Sequence, residues 1–462
     1  MNRRLFVATG LTLAAAATTG CLEHRNLLGR FSREESPPVG KGGNGDVEVV
    51  DENVRLSTDG SGRATGYAEA NKVVTAEGRT HVTWLDSIAD GFVVRGRTLD
   101  HAAGEWSEIH TIGKAYDNHG GPTITRDTQG YLHVAYYPHH HEMRYRRSSQ
   151  PDTMSSWDDF EEIGRNTTYP TLVCDGDDRL YLTCRVSSED RWRAQLFQKR
   201  RSDASWDGPI TVLESRSSGY AHFQDAMAFG PDRAVLHLST RIHEQRPNDQ
   251  PPRETIVYLR SADGGMTWTD ERQTSVELPV TSNNAGVIAS GGRGADEPSL
   301  RCGTIAVAAD GTPYLLFNED TVTYVSWLAD GEWNRRSLNE YLPNGLEEYG
   351  LHLPGGLSIS TDGHWVAVAT ATSPDVVDAT DRWGHPSSEV VRFTGALGES
   401  SEVSSRVVSL PDDDVPHWLP NIERTTGHHD VTGVPAVIYT AGEPGETNED
   451  ILSNGVYINR SR

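Results

Sequence analysis

A short sequence unit recurs seven times along the chain, at intervals of roughly 45 to 80 residues. Each copy starts with a turn containing Asp or Gly and continues as an apolar strand that often carries His or Tyr. The copies are EGRTHVTWLD (from Glu77), QGYLHVAYYP (Gln129), DDRLYLTCRV (Asp177), PDRAVLHLST (Pro231), DGTPYLLFNE (Asp310), DGHWVAVATA (Asp362) and TGVPAVIYTA (Thr432). Another short strand precedes each copy, and a third strand follows it. A chain built from such units is predicted to form repeated antiparallel sheets.

The predicted fold class is all-β, a seven-bladed β-propeller with three to four antiparallel strands in each blade. An early strand, 47–56, is expected to pair with the blade that ends at Asn459, which would close the ring and remove its open edges. The hydrophobic share of 36%, with Gly 45 and Pro 23, favours many turns over long helices. We therefore expect residues 47–462 to form a single propeller domain.

The segment Ser261–Trp268, SADGGMTW, matches the Asp-box pattern SxDxGxTW of sialidase-type propellers. In that pattern the Asp caps a turn and the Trp fills the space between strands. We interpret the segment as a mark of the fold and not of the chemistry.

The N-terminus, MNRRLFVATGLTLAAAATTGC, is predicted to be an export signal covering residues 1–21. Arg3 and Arg4, followed by Leu and Phe, resemble a twin-arginine signal. Thr19-Gly20-Cys21 resembles a lipobox with Thr where Leu is usual, so Cys21 is the predicted lipidation site. Residues 22–46 are expected to be a flexible tether. The expected location is the extracellular face of the cell membrane if Cys21 is lipidated, and the medium if it is not.

The formal net charge of −24 argues against nucleic acid as a partner, because phosphate binding needs a basic surface. Lysine is scarce beside arginine. This composition is explained equally by a high-salt habitat and by a GC-rich genome. Cys174, Cys184 and Cys302 form no disulfide framework, and hairpin folding places Cys174 opposite Tyr181 instead of Cys184. A monomer without nucleic-acid partners is expected.

Hairpin folding predicts which residues meet where the first strand of a unit starts and the second ends. Within Tyr116–His141, a turn centred between Thr128 and Gln129 places His119 opposite Pro138, next to His139, His140 and His141. The same folding places Tyr169 across from Val186, beside Arg185. In the fourth unit it pairs Tyr220 with His243 and His222 with Arg241, and a later unit adds His352. All of these residues would line the mouth of a central funnel.

The residue types at this mouth favour one kind of chemistry. Glycoside hydrolysis normally needs two carboxylic acids, and these units offer no such pair. Removing a proton next to a carboxylate needs a cation for that carboxylate, a base for the C5 proton and an acid for the departing O4 oxygen. His119, Tyr169 and Arg185 supply these types, and the arginine fork suits a carboxylate.

Each of these residues also has a purely structural interpretation. Tyr169 precedes a proline and could pack beneath a loop. Arg185 could be the buried partner of Asp175 or Asp190. The histidine run could be a solvated loop. His119 lies before two glycines that allow close approach of the backbone, as at a ligand site.

The segment NHGGP before a strand, a His about twenty residues later, and a Tyr-Pro followed sixteen residues later by Arg resemble the seven-bladed polysaccharide lyases that cleave ulvan, within the wider BNR-4 group. The resemblance covers most of the chain after the tether, with its specific part in the second to fourth blades. It implies β-elimination on a uronate-containing anionic polysaccharide. His119 and Tyr169 would be base and acid, Arg185 would neutralise the carboxylate, and the substrate-binding residues would be His139, His140, Tyr220, His222, Arg241 and His352.

The resemblance implies no required cofactor, but it leaves room for a structural Zn or Ca ion, because some relatives hold a structural zinc. His222, His243 and Cys302 are weak metal-ligand candidates because their spacing forms no recognised zinc pattern. Two other functions remain open. One is a non-catalytic carbohydrate-binding propeller, and the other is a sialidase-type hydrolase, whose expected Arg-Ile-Pro motif is absent from the first unit.

Overall fold

The computed structural model describes residues 49–50, 52–248, 250–292, 294, 297–376, 382–398, 402–411 and 414–460, all of which fall in one compact unit. The predicted export signal, the tether and Cys21 lie outside these residues, so those expectations remain predictions. Within the described part of the chain no helix is long and apolar enough to cross a membrane.

The described residues form 31 strands and one three-residue 3-10 helix, η1 (Asn339–Tyr341), which confirms the all-β class. The strands of the first half are β1 (Val49–Val50), β2 (Asn53–Gly60), β3 (Val73–Ala76), β4 (Arg79–Ile88), β5 (Gly91–Asp100), β6 (Glu105–Trp106), β7 (His110–Lys114), β8 (Thr123–Arg126), β9 (Leu132–Tyr136), β10 (His141–Arg147), β11 (Glu161–Cys174), β12 (Leu180–Val186), β13 (Arg193–Lys199) and β14 (Asp207–Glu214). The strands of the second half are β15 (Ala221–Phe229), β16 (Leu236–Glu244), β17 (Arg253–Ser261), β18 (Trp268–Thr269), β19 (Ser275–Val276), β20 (Val287–Gly292), β21 (Leu300–Val307), β22 (Pro313–Glu319), β23 (Val322–Ala329), β24 (Glu332–Ser337), β25 (Gly350–Ile359), β26 (His364–Thr372), β27 (Glu389–Ala396), β28 (Val403–Val407), β29 (His417–Ile422), β30 (Val437–Ala441) and β31 (Asn454–Asn459).

These strands pair antiparallel in five hydrogen-bonded sheets. A ten-stranded sheet has the order β29-β30-β31-β2-β4-β5-β6, with β1, β3 and β7 attached beside it. A seven-stranded sheet runs from β14 to β8, and β11 belongs to two successive hairpin units in it. A six-stranded sheet contains β15 to β20, and two four-stranded sheets contain β21–β24 and β25–β28. All seven copies of the sequence unit form strands, as predicted: β4, β9, β12, β16, β22, β26 and β30.

The early strand pairs with the last strand of the chain, as the sequence predicts. Asn53 lies opposite Asn459, and Val54 lies opposite Ile458. The strand β2 begins at Asn53 and not at residue 47. It also contacts the first unit through one pair, Gly60 with Asp86. Residues from the two ends of the described chain therefore share one sheet.

Several predicted registers are wrong by one or two residues, because the turns are longer than their sequence signals. In the fourth unit the turn spans 230–235 and not only the four residues GPDR, so His222 lies opposite His243. In the third unit Cys174 lies opposite Leu180 and not Tyr181. In the second unit Thr123 pairs with Ala135, a shift of one residue. The three described cysteines are free thiols, in agreement with the sequence.

The Asp-box segment has the structural role expected of it. The Asp263 carboxylate accepts hydrogen bonds from the Thr267 hydroxyl at 2.6 Å and from the Thr267 amide at 2.9 Å. The Trp268 indole N–H donates to the Gly265 carbonyl at 3.0 Å, and its ring is buried in a core that includes Leu196 and Leu259. Side chains from two successive units thus pack around one tryptophan.

We expect Trp268→Ala to lower the free energy of unfolding by about 3–5 kcal/mol, because it removes a fully buried aromatic ring from a close-packed core. Met266→Ala is the matched control in the same turn, since Met266 is 64% exposed. Its effect should stay within about 0.5 kcal/mol. Urea denaturation followed by circular dichroism measures both values, and equal losses in the two variants would contradict this interpretation.

Candidate functional site

Two histidines from neighbouring segments of the second unit meet, as hairpin folding predicts. His119 lies between β7 and β8, and His139 lies between β9 and β10. Their rings stack with centroids 3.9 Å apart and planes 20° apart. Asp117 joins them, because its carboxylate contacts His139 Nδ1 at 2.6 Å and accepts from the His119 amide at 2.8 Å. Asp117 was not among the residues predicted from the sequence.

The protonation of this group follows from its surroundings. Burial raises the pKa of Asp117, but the hydrogen bonds from His119 and His139 outweigh it, so the net pKa lies below the ordinary value. Burial, together with the nearby Arg63 cation, holds the pKa of His119 well below the ordinary value. At neutral pH the site therefore contains a carboxylate and a neutral His119 imidazole.

Tyr169 occupies an irregular point of β11 and does not lie across from Val186. The register shifts between Thr168 and Thr171, and Tyr169 has a φ of +59°, which a non-glycine residue seldom adopts. Tyr169 is 9% exposed, and the centre of its ring lies 5.9 Å from that of the His119 ring. The bulge thus turns the phenol away from the regular strand and towards the imidazole pair.

Arg185 in β12 is buried among aromatic rings. Its guanidinium carbon lies 4.5 Å from the centre of the Tyr169 ring and 4.9 Å from that of Trp192. One guanidinium nitrogen, Nη1, donates to the Tyr220 hydroxyl at 3.4 Å. Its Nε is buried without a hydrogen-bond partner, and no described carboxylate forms an ion pair with this guanidinium. Arg185 is therefore a buried cation with capacity left for an anion.

The structural interpretation of Arg185 as the partner of Asp175 or Asp190 is wrong. Asp175 accepts instead from the Tyr181 hydroxyl at 2.9 Å and from amides of its own turn. Asp190 is exposed at the surface. Neither carboxylate forms an ion pair with the Arg185 guanidinium.

The fourth unit contributes a second group of predicted residues. His222 packs 4.6 Å from Tyr169, ring to ring, and its Nδ1 lies 2.9 Å from Arg241. The rings of Tyr220 and His243 are 6.0 Å apart. Although the predicted register is wrong, these side chains still meet because they are diagonal neighbours on adjacent strands.

Arg241 differs from Arg185 in its electrostatic surroundings. It is buried, but its guanidinium lies 3.5 Å from the Glu254 carboxylate and donates to the Leu300 carbonyl at 2.8 Å. The same carboxylate contacts His243 Nδ1 at 2.8 Å. Burial and the Arg241 cation hold the pKa of His222 well below its ordinary value. Arg241 is thus already balanced by a protein carboxylate.

The two remaining predicted histidines, His140 and His352, lie in different parts of the structure. His140 Nδ1 contacts the Ser187 hydroxyl at 2.6 Å, and burial, with Arg185 nearby, lowers the pKa of His140 to about 4. His352 is buried in β25 and contacts the Thr372 hydroxyl at 3.1 Å. Within the described residues His352 forms no ring contact or hydrogen bond with the imidazole pair or with Arg185.

The structure adds aromatic and cationic residues that hairpin folding could not predict. Arg63 and Tyr67 lie in the segment between β2 and β3, and the Tyr67 ring is 4.9 Å from that of Tyr169. Trp192 lies just before β13 and contacts both His140 and Tyr220. None of these residues starts or ends the central hairpin of a unit, which is the signal that identified the others.

The weak metal-ligand set is not assembled. His222 and His243 are engaged with Arg241 and Glu254, and the Cys302 thiol lies 3.9 Å from the Ser239 hydroxyl. Cys174, Asp178 and His428 form a different group, whose ligand atoms all lie within 4.8 Å of one another. This group has the donor types that zinc prefers. The Asp117, His119 and His139 group meets the same distance limit, but its atoms already serve one another and Arg63, so we assign no metal to it.

Comparison with known proteins finds similarity to proteins named as ulvan lyases. The chain is similar to an ulvan lyase of Nonlabens ulvanivorans, with 20% identity over 269 residues, which are 50% of this chain and 56% of that protein. It is also similar to a PL25 ulvan lyase of Pseudoalteromonas sp. (strain PLSV), with 25% identity over 37% of this chain and 40% of that protein. The chain thus matches about half of these relatives' length.

Solved structures of polysaccharide lyases have a similar fold. The structure of a PL25 ulvan lyase bound to -[GlcA(1-4)Rha3S]- has a TM-score of 0.66 at 13% identity, covering 87% of this chain and 94% of that one. The polysaccharide lyase Uly1 has a TM-score of 0.56 at 11% identity, covering 89% and 98%. These likenesses show a shared fold. The model of the BNR repeat-containing family matches residues 79–341, which is more than half of the chain. The chain therefore belongs to the BNR repeat-containing family.

Proposed function

We propose that the chain is a polysaccharide lyase that cleaves a uronate-containing anionic polysaccharide of the ulvan type by β-elimination. The observation that carries the proposal is Arg185, a buried guanidinium with no described carboxylate partner, next to Tyr169. A buried cation without a counter-ion is costly unless a ligand supplies the charge. The carboxylate of a uronate sugar supplies that charge and fits the arginine fork.

The elimination needs two proton transfers, and two side chains lie where they can perform them. In the proposed reaction one group takes the proton from C5, the electron pair forms the C4–C5 double bond, and the C4–O4 bond breaks. The other group protonates the departing O4 oxygen. We assign these roles to His119 and Tyr169, as base and acid, with Arg185 stabilising the charge that spreads onto the carboxylate. No cofactor is required for this sequence of bond changes.

The surrounding residues would bind the sugar chain. Tyr220 and His222 contact Arg185 and Tyr169 respectively, and His139 and His140 line the other side of the same group. The similar protein of Nonlabens ulvanivorans is named as an ulvan lyase, and one similar solved structure is bound to -[GlcA(1-4)Rha3S]-. We extend that substrate class to this chain.

The proposed scaffold is a closed seven-bladed β-propeller. Its support is the succession of seven antiparallel units, together with the pairing of β2 with β31 and its contact with β4. Such closure would bring the open ends of the hairpins around one axis. We also propose that the chain is exported and that Cys21 is its lipid-attachment site.

Lyase activity is tested directly by the ultraviolet absorbance of the unsaturated uronate that β-elimination produces. We expect Arg185→Ala to lower kcat/KM on ulvan by about 10²–10³-fold, because the stabilising cation is lost. Tyr169→Phe should lower it by about 10²–10⁴-fold, because a proton-transfer group is lost. Arg335→Ala, on an arginine whose side chain is 51% exposed, is the control and should retain full activity. A wild-type protein that retains ulvan without producing the absorbing product would be a binding protein instead.

Asp117 is the anchor of the imidazole pair, so its removal should destabilise the site. We expect Asp117→Asn to lower the free energy of unfolding at pH 7 by about 1–3 kcal/mol, since it weakens buried hydrogen bonds. The folded-state pKa of Asp117 is depressed, so its contribution is present above the ordinary pKa of about 3.9 and is lost as pH falls.

The difference in free energy of unfolding between wild type and Asp117→Asn, measured by urea denaturation, should therefore become smaller below about pH 4. The control is Asp158→Asn, which removes a surface ion pair to Arg147 with the Asp158 side chain 44% exposed. That control should change stability by no more than about 1 kcal/mol. A difference for Asp117→Asn that widens on acidification would contradict the assignment.

A further inference from the structure

Arg63 reaches the imidazole pair from a different unit of the fold. It lies in the segment between β2 and β3 and is 9% exposed. Its Nη1 contacts His119 Nε2 and donates to the Tyr67 hydroxyl at 2.7 Å. The guanidinium carbon also lies 5.9 Å from the centre of the Tyr67 ring and 5.6 Å from that of Trp383. Two aromatic rings therefore lie close to the guanidinium.

The contact with His119 determines which ring nitrogen carries the proton. Arginine has only donor groups and does not lose its charge in proteins, so His119 Nε2 must be the acceptor. In a neutral imidazole the proton then lies on Nδ1, which faces the Asp117 carboxylate at 3.3 Å. Both neighbours of the ring thus select the same tautomer, one as a donor and the other as an acceptor.

We propose that Arg63 is a positioning residue of this site, which holds His119 as a neutral imidazole with its proton on Nδ1 and its lone pair on Nε2. A base must have such a lone pair, and an imidazolium ion has none. Because the Arg63 guanidinium donates to this lone pair, it has to leave Nε2 before His119 can take the C5 proton. The consequence for catalysis rests on the proposed lyase function. The state of the imidazole itself does not depend on that function.

The charged and titratable groups that face His119 agree with this role. Asp117 comes from its own segment, His139 from the segment after β9 and Tyr169 from β11. Arg63 and Tyr67 come from the segment before β3. Asp117 favours the protonated imidazole and Arg63 opposes it, so loss of Arg63 leaves the carboxylate without an opposing cation at this ring.

Arg63→Met removes the charge and the donor while keeping an unbranched side chain. We expect His119 to titrate at a higher pH in this variant, nearer to the ordinary value of about 6.5. Arg63→Lys keeps a cation and should stay closer to wild type. Arg335→Met is the control and should leave His119 unchanged.

The measurement is the ¹⁵N spectrum of full-length protein labelled in histidine, with the His119 signals identified by their loss in His119→Gln. In wild type we expect one protonated nitrogen, Nδ1, at neutral and mildly acidic pH. A wild-type proton on Nε2, or an unchanged His119 in Arg63→Met over the same pH range, overturns the proposal. If Arg63→Met does not fold, Arg63→Gln replaces it with the same expected rise, because it also removes the charge.

Kinetics give a second test that depends on lyase activity. We expect Arg63→Met to lower kcat on ulvan by up to about 10²-fold at mildly acidic pH with little change in KM, because a misplaced or protonated imidazole slows the reaction. The loss should diminish at higher pH, and Arg63→Lys should recover part of the activity. A raised KM with unchanged kcat would make Arg63 a substrate-binding residue and overturn the proposal. A wild-type protein without lyase activity would refute the proposed function, while the ¹⁵N result would still decide the state of His119.

Discussion

Antiparallel pairing is the constraint on which the site depends. Each unit returns on itself after a tight turn, so a residue before the first strand comes close to a residue after the second. This is how His119 and His139 stack, although they are twenty positions apart in the chain. Several units contribute side chains of related chemistry for the same reason. Each unit is an antiparallel hairpin, with its turn at one end and these side chains at the open end.

The sequence was sufficient to predict the strands and the residue types at the open ends, but not the registers. Period-two alternation and turn residues identify a strand wherever it lies, whereas register depends on how many residues the turn takes up. At 230–235 two further residues belong to the turn, and the pairing of His222 moves accordingly. The bulge at Tyr169 is a similar case, because no local signal shows that its φ is positive. Arg63 and Tyr67 were missed because they lie on the connection between β2 and β3, outside the hairpin ends from which the site residues were predicted.

The contrast between Arg185 and Arg241 distinguishes a site from a scaffold. Both guanidinium groups are buried, and both lie beside a histidine or a tyrosine. Arg241 has a counter-charge within the protein, in Glu254, which it shares with Arg301, so it depends less on a ligand for neutralisation. In place of a counter-charge, Arg185 has the face of the Tyr169 ring and one hydrogen bond, to the Tyr220 hydroxyl. Aromatic rings favour a cation but do not cancel its charge. For this reason the free binding capacity of the site is concentrated at Arg185.

The chain is acidic overall although its proposed substrate is an anion. The two are compatible because most of the negative charge lies far from the site. The net charge of −24 is spread over the whole chain, and at physiological ionic strength exposed charges are screened beyond roughly 8 Å. Arg185 is buried in the site itself, where screening by salt is weak and attraction over short distances is strong. Asp117 is the nearest described carboxylate to His119, and the two imidazoles already engage it. An approaching uronate would therefore meet the Arg185 cation beside the Tyr169 phenol, so attraction within the site favours binding although the net charge of the whole chain opposes it.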